Sequence, residues 1–183
     1  TFDVIGLILL EWSDARLAFD GADGTSRTYL ETDATTRLDQ IWWPDIQFVN
    51  QVRNRERGNE ELVVTADGHV RYLERFRVSL SSRFDMRPFP FDSQRLVMDV
   101  ASFAWSSEDT VFRVRKDIVG FSTEFYLPGW EVLAVEETIQ ERMMPQDRAS
   151  FSDLQTIITV RRDPGFFVWK FLVPLGAVML LIT

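Results

Sequence analysis

Residues 60–80 constrain the fold more than any other stretch of the chain. Val70, Tyr72, Phe76, Val78 and Leu80 fall on one parity, while Arg71, Arg75, Arg77 and Ser79 fall on the other. Side chains alternate between faces with a period of two only in an extended chain, so this is a half-buried strand and not a helix. Glu60 to Thr65 reads as a second strand, and Ala66-Asp67-Gly68-His69 between them supplies the Asp-Gly pair of a tight hairpin turn. Further strand candidates are Val4 to Trp12, Ile41 to Val52, Gln94 to Phe103, Val111 to Val114, Trp130 to Ile139 and Phe151 to Arg162. Polar stretches separate them: Asp20 to Ser26, Arg53 to Asn59, and a hairpin tip at Met143 to Ser150. Short strands punctuated in this way predict a mainly β, immunoglobulin-like antiparallel sandwich.

The C-terminal segment is of a different kind. Phe171 to Thr183 carries no charge, and extension back to Phe166 adds only Lys170. A spanning helix needs about 20 such residues, so the expectation is the start of a transmembrane helix; the alternative is a buried C-terminal helix of a soluble protein. The opening Thr1-Phe2-Asp3 has neither a basic start nor a cleavage-like site and begins inside a strand pattern, so the sequence reads as a piece of a longer chain at both ends.

Composition removes several function classes. Twenty Lys and Arg against 28 Asp and Glu leave a net charge of −8, the opposite of a nucleic-acid footprint. Without cysteine, and with His69 as the one histidine, no thiolate or two-histidine metal site can be assembled, and no cofactor is implied. Phosphate-binding loops and nucleophile or zinc motifs are absent, so the chain does not read as an enzyme. The adjacent acids Glu60-Glu61 and Glu136-Glu137 point to opposite faces of a strand and read as solvated charges. His69, beside the turn glycine, reads as an exposed residue and a candidate proton sensor.

Phe89-Pro90-Phe91-Asp92 is harder to explain by packing, since two aromatics around a proline make a stiff apolar loop tip followed by a carboxylate. The tetrapeptide resembles the signature of the pentameric ligand-gated ion channels, the Cys-loop receptor superfamily, which carry it in a thirteen-residue loop between two cysteines. Ser82 and Leu96 stand at the two cysteine positions, with residues 83–95 between them. Trp42-Trp43-Pro44-Asp45 resembles the family's W-x-P-D, and Trp12-Ser13-Asp14-Ala15-Arg16-Leu17 resembles its W-x-D-x-R-L. Arg162-Asp163-Pro164 precedes the apolar run as the family's R-x-P precedes its first membrane helix. The missing cysteines group the chain with the prokaryotic members, which lack that disulfide.

The resemblance implies residues 1–163 as an extracellular or periplasmic ligand-binding sandwich lacking its first strand, and 164–183 as the start of the first helix of a multi-pass protein of the cell membrane. It implies a homo-pentamer in contact with membrane lipid, opened by a small-molecule agonist or by protons. Carried over by position, the ligand site takes Val49, Phe103, Thr138 and Phe151 from one face and Leu7 and Leu73 from the neighbour. Val49, Thr138 and Leu7 stand where the family often has an aromatic, which disfavours trimethylammonium-type agonists. Trp12, Trp42 and Trp43 are assigned to scaffold packing. The resemblance assigns coupling between ligand and pore to Phe89, Pro90, Phe91, Asp92 and Arg162. The acidic composition leans toward cation selectivity. The rival reading is a secreted pentameric sandwich that binds small molecules without a pore.

Overall fold

The computed structural model describes residues 1–22, 24–115, 127–144 and 149–182. Two four-stranded antiparallel sheets face each other. The first joins β1 (Phe2–Ser13), β2 (Ser26–Leu30), β4 (Glu56–Thr65) and β5 (His69–Leu80) in the spatial order β1-β5-β4-β2. The second joins β3 (Ile46–Phe48), β6 (Ser93–Ser102), β7 (Trp130–Met144) and β8 (Ala149–Arg162) in the order β3-β6-β8-β7. A short helix, α1 (Thr32–Leu38), buries Ala34 and Leu38 against the first sheet.

The β4–β5 hairpin pairs Val64 with Val70 and turns through Gly68 at φ +84°. A Cβ at Gly68 would sit 2.5 Å from the carbonyl oxygen of Asp14, so the position is closed to other residues by space as well as by backbone angle. Val70, Tyr72, Phe76, Val78 and Leu80 are all buried, as the alternation requires. Across the interior, Ile46, Phe48 and Val100 meet Phe76, Val78 and Leu80, and a third patch gathers Leu96, Ile158 and Val160 at the end of the second sheet nearest the C-terminal helix. Trp12 meets Trp42 edge to face and Trp42 meets Trp105 at a tilt, beside the patch of Ala34, Leu38, Leu62, Val64, Val70 and Tyr72, and Trp105 Nε1 donates to the Trp43 carbonyl at 2.9 Å.

Several expected elements are corrected by the structure. The strand expected over Ile41 to Val52 shrinks to Ile46–Phe48, because Pro44 offers no N–H and Asp45 turns the backbone to φ 41°. Val111 to Val114 is not a strand: the Phe112 N–H is taken by the Ser152 hydroxyl at 2.9 Å instead of by a ladder carbonyl. The Arg53 to Asn59 loop is partly β4, which starts at Glu56 and shifts register between Gly58 and Glu61. Glu60 is not a solvated charge; it is buried and its carboxylate accepts from the Thr35 hydroxyl. His69 is half-buried at the head of β5, its N–H on Asp67 Oδ1 at 3.2 Å. Strand β2 and helix α1 have no counterpart in the sequence reading. Residues 145–148 of the expected hairpin tip lie outside the described residues.

Helical backbone begins at Gly165 and runs to Ile182 as α2 (Gly165–Phe167), a π-helical turn (Val168–Leu172) and α3 (Val173–Ile182). Among the described residues no helix is long and apolar enough to cross a membrane. Apart from Lys170, the side chains of residues 166–181 are nonetheless apolar and mostly exposed, Trp169, Phe171, Leu175, Leu180 and Leu181 among them.

Candidate functional site

The register between β6 and β8 sets Ser93 opposite Arg161, which places Asp92 and Arg162 side by side where the sandwich meets the C-terminal helix. Their backbones are tied first, the Arg162 N–H donating to the Asp92 carbonyl at 3.0 Å. The side chains then form a fork: Arg162 Nε donates to Asp92 Oδ1 at 2.6 Å and Nη2 to Oδ2 at 3.1 Å. Gln94 Nε2 donates to Asp92 Oδ2 at 2.5 Å, and the same amide bridges both backbone polar groups of Asp85, holding the loop against the sheet. The Asp92 side chain is 0% exposed and that of Arg162 is 14% exposed, so this is a pair withdrawn from water. The Arg162 guanidinium holds the Asp92 carboxyl down at about 2, with help from Gln94, against a burial effect of the opposite sign.

Aromatic rings surround the cation. The guanidinium carbon lies 4.1 Å from the Trp130 ring centre, 5.1 Å from Phe89 and 5.9 Å from Phe167. Phe89 meets Phe167 edge to face at 4.7 Å, so the loop tip touches the first turn of the helical segment directly. Pro90 is joined to Phe89 by a cis peptide bond, and Phe91 projects outward, 64% exposed. Phe91, Glu131, Arg161, Arg162, Asp163 and Pro164 line an open cleft of about 420 Å³ at this end. Where the family carries its disulfide, the Ser82 hydroxyl donates to the Arg95 carbonyl at 2.7 Å, and Leu96 is buried in the core.

The residues assigned to a ligand site divide between the two sheets. Phe103 and Phe151 meet edge to face at 5.8 Å, Phe103 half-buried and Phe151 only 7% exposed. Val49, whose N–H donates to the Asp99 carbonyl at 2.8 Å, follows β3 on the same sheet. Thr138 is exposed on β7, but the register sets Arg142 opposite Phe151 and Thr138 opposite Gln155, four positions and about 13 Å further along the strand. Leu7, 68% exposed, and Leu73 stand on the other sheet, where β1 and β5 pair.

Sequence reasoning missed Gln94 and Trp130, which orient and roof the Asp92–Arg162 pair. A signal existed for Gln94: it is a polar residue on the inward parity of β6. It missed Asn50 too, whose amide donates to the carbonyls of Ser81 and Val97 at 2.7 Å each and so joins the two sheets. Glu74 breaks the apolar parity of β5 and is fully buried, its carboxylate taking the Tyr72 hydroxyl at 2.9 Å and facing Arg55 Nε at 3.1 Å. Burial pushes the Glu74 carboxyl up and the Arg55 guanidinium down, each opposed by the other's charge.

Residues 2–164 match the model of the neurotransmitter-gated ion-channel ligand binding domain. A proton-gated ion channel of Gloeobacter violaceus is 31% identical over 183 residues, covering 92% of this chain and 50% of that protein. The human gamma-aminobutyric acid receptor subunit rho-2 is 27% identical over 181 residues, covering 93% of this chain and 37% of that subunit. The chain therefore spans half or less of the length of these relatives.

Proposed function

We propose, from the premise that this chain belongs to the neurotransmitter-gated ion-channel ligand binding domain family, that it is the ligand-binding part of a pentameric ligand-gated channel subunit. In this reading an agonist or a proton acts on the sandwich, and the change reaches a membrane pore through Phe89, Pro90, Phe91, Asp92 and Arg162. One observation carries it. A buried, bidentate carboxylate–guanidinium pair ties the loop before β6 to the last residue of β8, and aromatic rings join that pair to the helical segment.

The chemistry suits transmission better than ligand capture. Asp92 is charged at any physiological pH, and its partner is fixed by two hydrogen bonds and a ring face, so displacement of β8 is passed on to the loop tip. The small-molecule site is assigned to a neighbour interface, with Phe103, Phe151, Val49 and Thr138 on one side and Leu7 and Leu73 on the other. The exposed apolar surface of residues 166–181 favours a membrane-embedded continuation over the pore-free secreted sandwich, because a soluble protein rarely leaves so much apolar surface uncovered.

A double-mutant cycle on channel opening in the full-length protein tests the coupling, using Asp92→Asn and Arg162→Gln. The pair acting as one unit gives non-additive effects, each single change nearly as damaging as both. Additive effects would show that the two residues do not act together and would remove them from the coupling route.

A further inference from the structure

On the outward face of the second sheet, directly beside the Phe103–Phe151 ring pair, two carboxylates share one guanidinium. The register sets Arg142 opposite Phe151, Gln140 opposite Asp153, and Ala101 opposite Asp153 on the other side, so these residues present to one face. Arg142 Nη2 lies 2.5 Å from Asp99 Oδ2 and 2.6 Å from Asp153 Oδ2, and Gln140 Nε2 donates to the same Asp153 oxygen at 3.1 Å. Asp153 is 0% exposed and Asp99 8% exposed. The remaining oxygen of each, Asp99 Oδ1 and Asp153 Oδ1, is buried without a hydrogen-bond partner among the described residues.

Among the described residues, two buried carboxylates held by a single cation are one positive charge short, and two acceptor oxygens lack donors. We propose that Asp99 and Asp153 form a proton-binding site, in which one proton taken from water is shared between the two carboxylates beneath the β7–β8 hairpin. A single proton removes the excess negative charge and supplies a donor where the described residues offer none. A metal ion suits the site less well, since the Arg142 nitrogen already occupies the position between the oxygens.

Among the described residues, the charged groups facing the pair are few. β6 contributes Asp99, β8 contributes Asp153, and β7 contributes Arg142 beside the uncharged Gln140; from the segment after β3, Asn50 Oδ1 accepts the Asp99 N–H at 3.3 Å. Burial, and then the facing Asp153, push the Asp99 carboxyl up to about 6, with Arg142 opposing. Above that range Asp99 is charged and grips Arg142 together with Asp153, fixing β7 to β6 and β8. Below it the protonated Asp99 donates to Asp153 and its grip on Arg142 loosens, which frees the base of the hairpin next to Phe151. The site belongs to the sandwich alone, so its test needs no channel current and stands apart from the proposed function.

Infrared difference spectroscopy of the full-length protein in detergent, with aspartate labelled at the side-chain carboxyl carbon, reads it out across a pH titration. The wild type should show an aspartic acid carbonyl band titrating near pH 6. Asp99→Asn and Asp153→Asn, each nearly isosteric, should each abolish it. Arg142→Gln should move the midpoint upward by roughly one unit or more, because the cation that favours the charged form is gone. Absence of the band in the wild type, an unchanged midpoint in both Asn variants, or a midpoint unmoved by Arg142→Gln would each overturn the site. Should one Asn variant fail to fold, the other and Arg142→Gln decide.

Discussion

Asp92 and Asp99 lie seven positions apart on one stretch of chain and titrate in opposite directions, and the difference follows from what faces each. Asp92 has a guanidinium to itself, and its folded value of about 2 lies below the ordinary 3.8. Its stabilising effect is therefore complete above the ordinary carboxylate range and is lost as pH falls toward 2. Asp99 shares its cation with a second acid, and its folded value of about 6 lies above the ordinary 3.8. The folded state then binds more protons than the unfolded one, so this group lowers stability as pH rises across that window. Thermal unfolding of the full-length protein against pH should separate the two. Asp92→Asn should flatten the acid limb between about pH 4 and 2, and Asp99→Asn should flatten the decline between about pH 4 and 6. Parallel curves for wild type and both variants would contradict both assignments. Loss of one partner from a buried pair costs about 3–5 kcal/mol, against about 0–1 for a surface pair. Arg162→Ala should therefore impair folding or abolish opening.

At the scale of elements, the hairpin of β4 and β5 was legible in the sequence because parity and an Asp-Gly turn are local signals. Asp92 and Arg162 were legible for a different reason: a tetrapeptide and a pre-helix arginine carry the family resemblance. What stayed hidden depends on contacts between distant residues. Glu74 sits at an inward position that an apolar pattern passes over, and only Arg55, Arg57 and Tyr72 explain its burial. Strand β2 is short and mostly polar, and it exists because β4 offers it an edge. Val111 to Val114 shows the converse, a β-branched and aromatic run whose backbone is satisfied by a side chain. Glu74→Ala should strip Arg55, 7% exposed at its side chain, of its counter-charge and cost about 3–5 kcal/mol of stability, measured by denaturant unfolding. A loss under about 1 kcal/mol would show that water compensates the cluster. The Phe103–Phe151 pair, where β6 ends and β8 begins, carries the ligand assignment. If an agonist cation meets these rings, Phe103→Ala or Phe151→Ala should raise the half-maximal concentration about tenfold per 1.4 kcal/mol lost. An unchanged response in both would place the stimulus elsewhere.

For the whole molecule, the acidic composition and the proposed two-walled ligand site both bear on the proposed assembly. If the chain assembles in the proposed ring, its net charge of −8, repeated around that ring, would give a vestibule that concentrates cations, and does so less at high salt. Reversal potentials of the full-length channel should follow the cation gradient; potentials that follow chloride would contradict this. Leu7 and Leu73 lie on the sheet that does not carry Phe103 and Phe151, so the proposed ligand site needs a neighbour to supply its opposite wall. The most direct test is the native mass of the full-length protein in detergent. A single species of five subunits is expected, and a stable monomer or dimer that retains activity would contradict the proposed assembly.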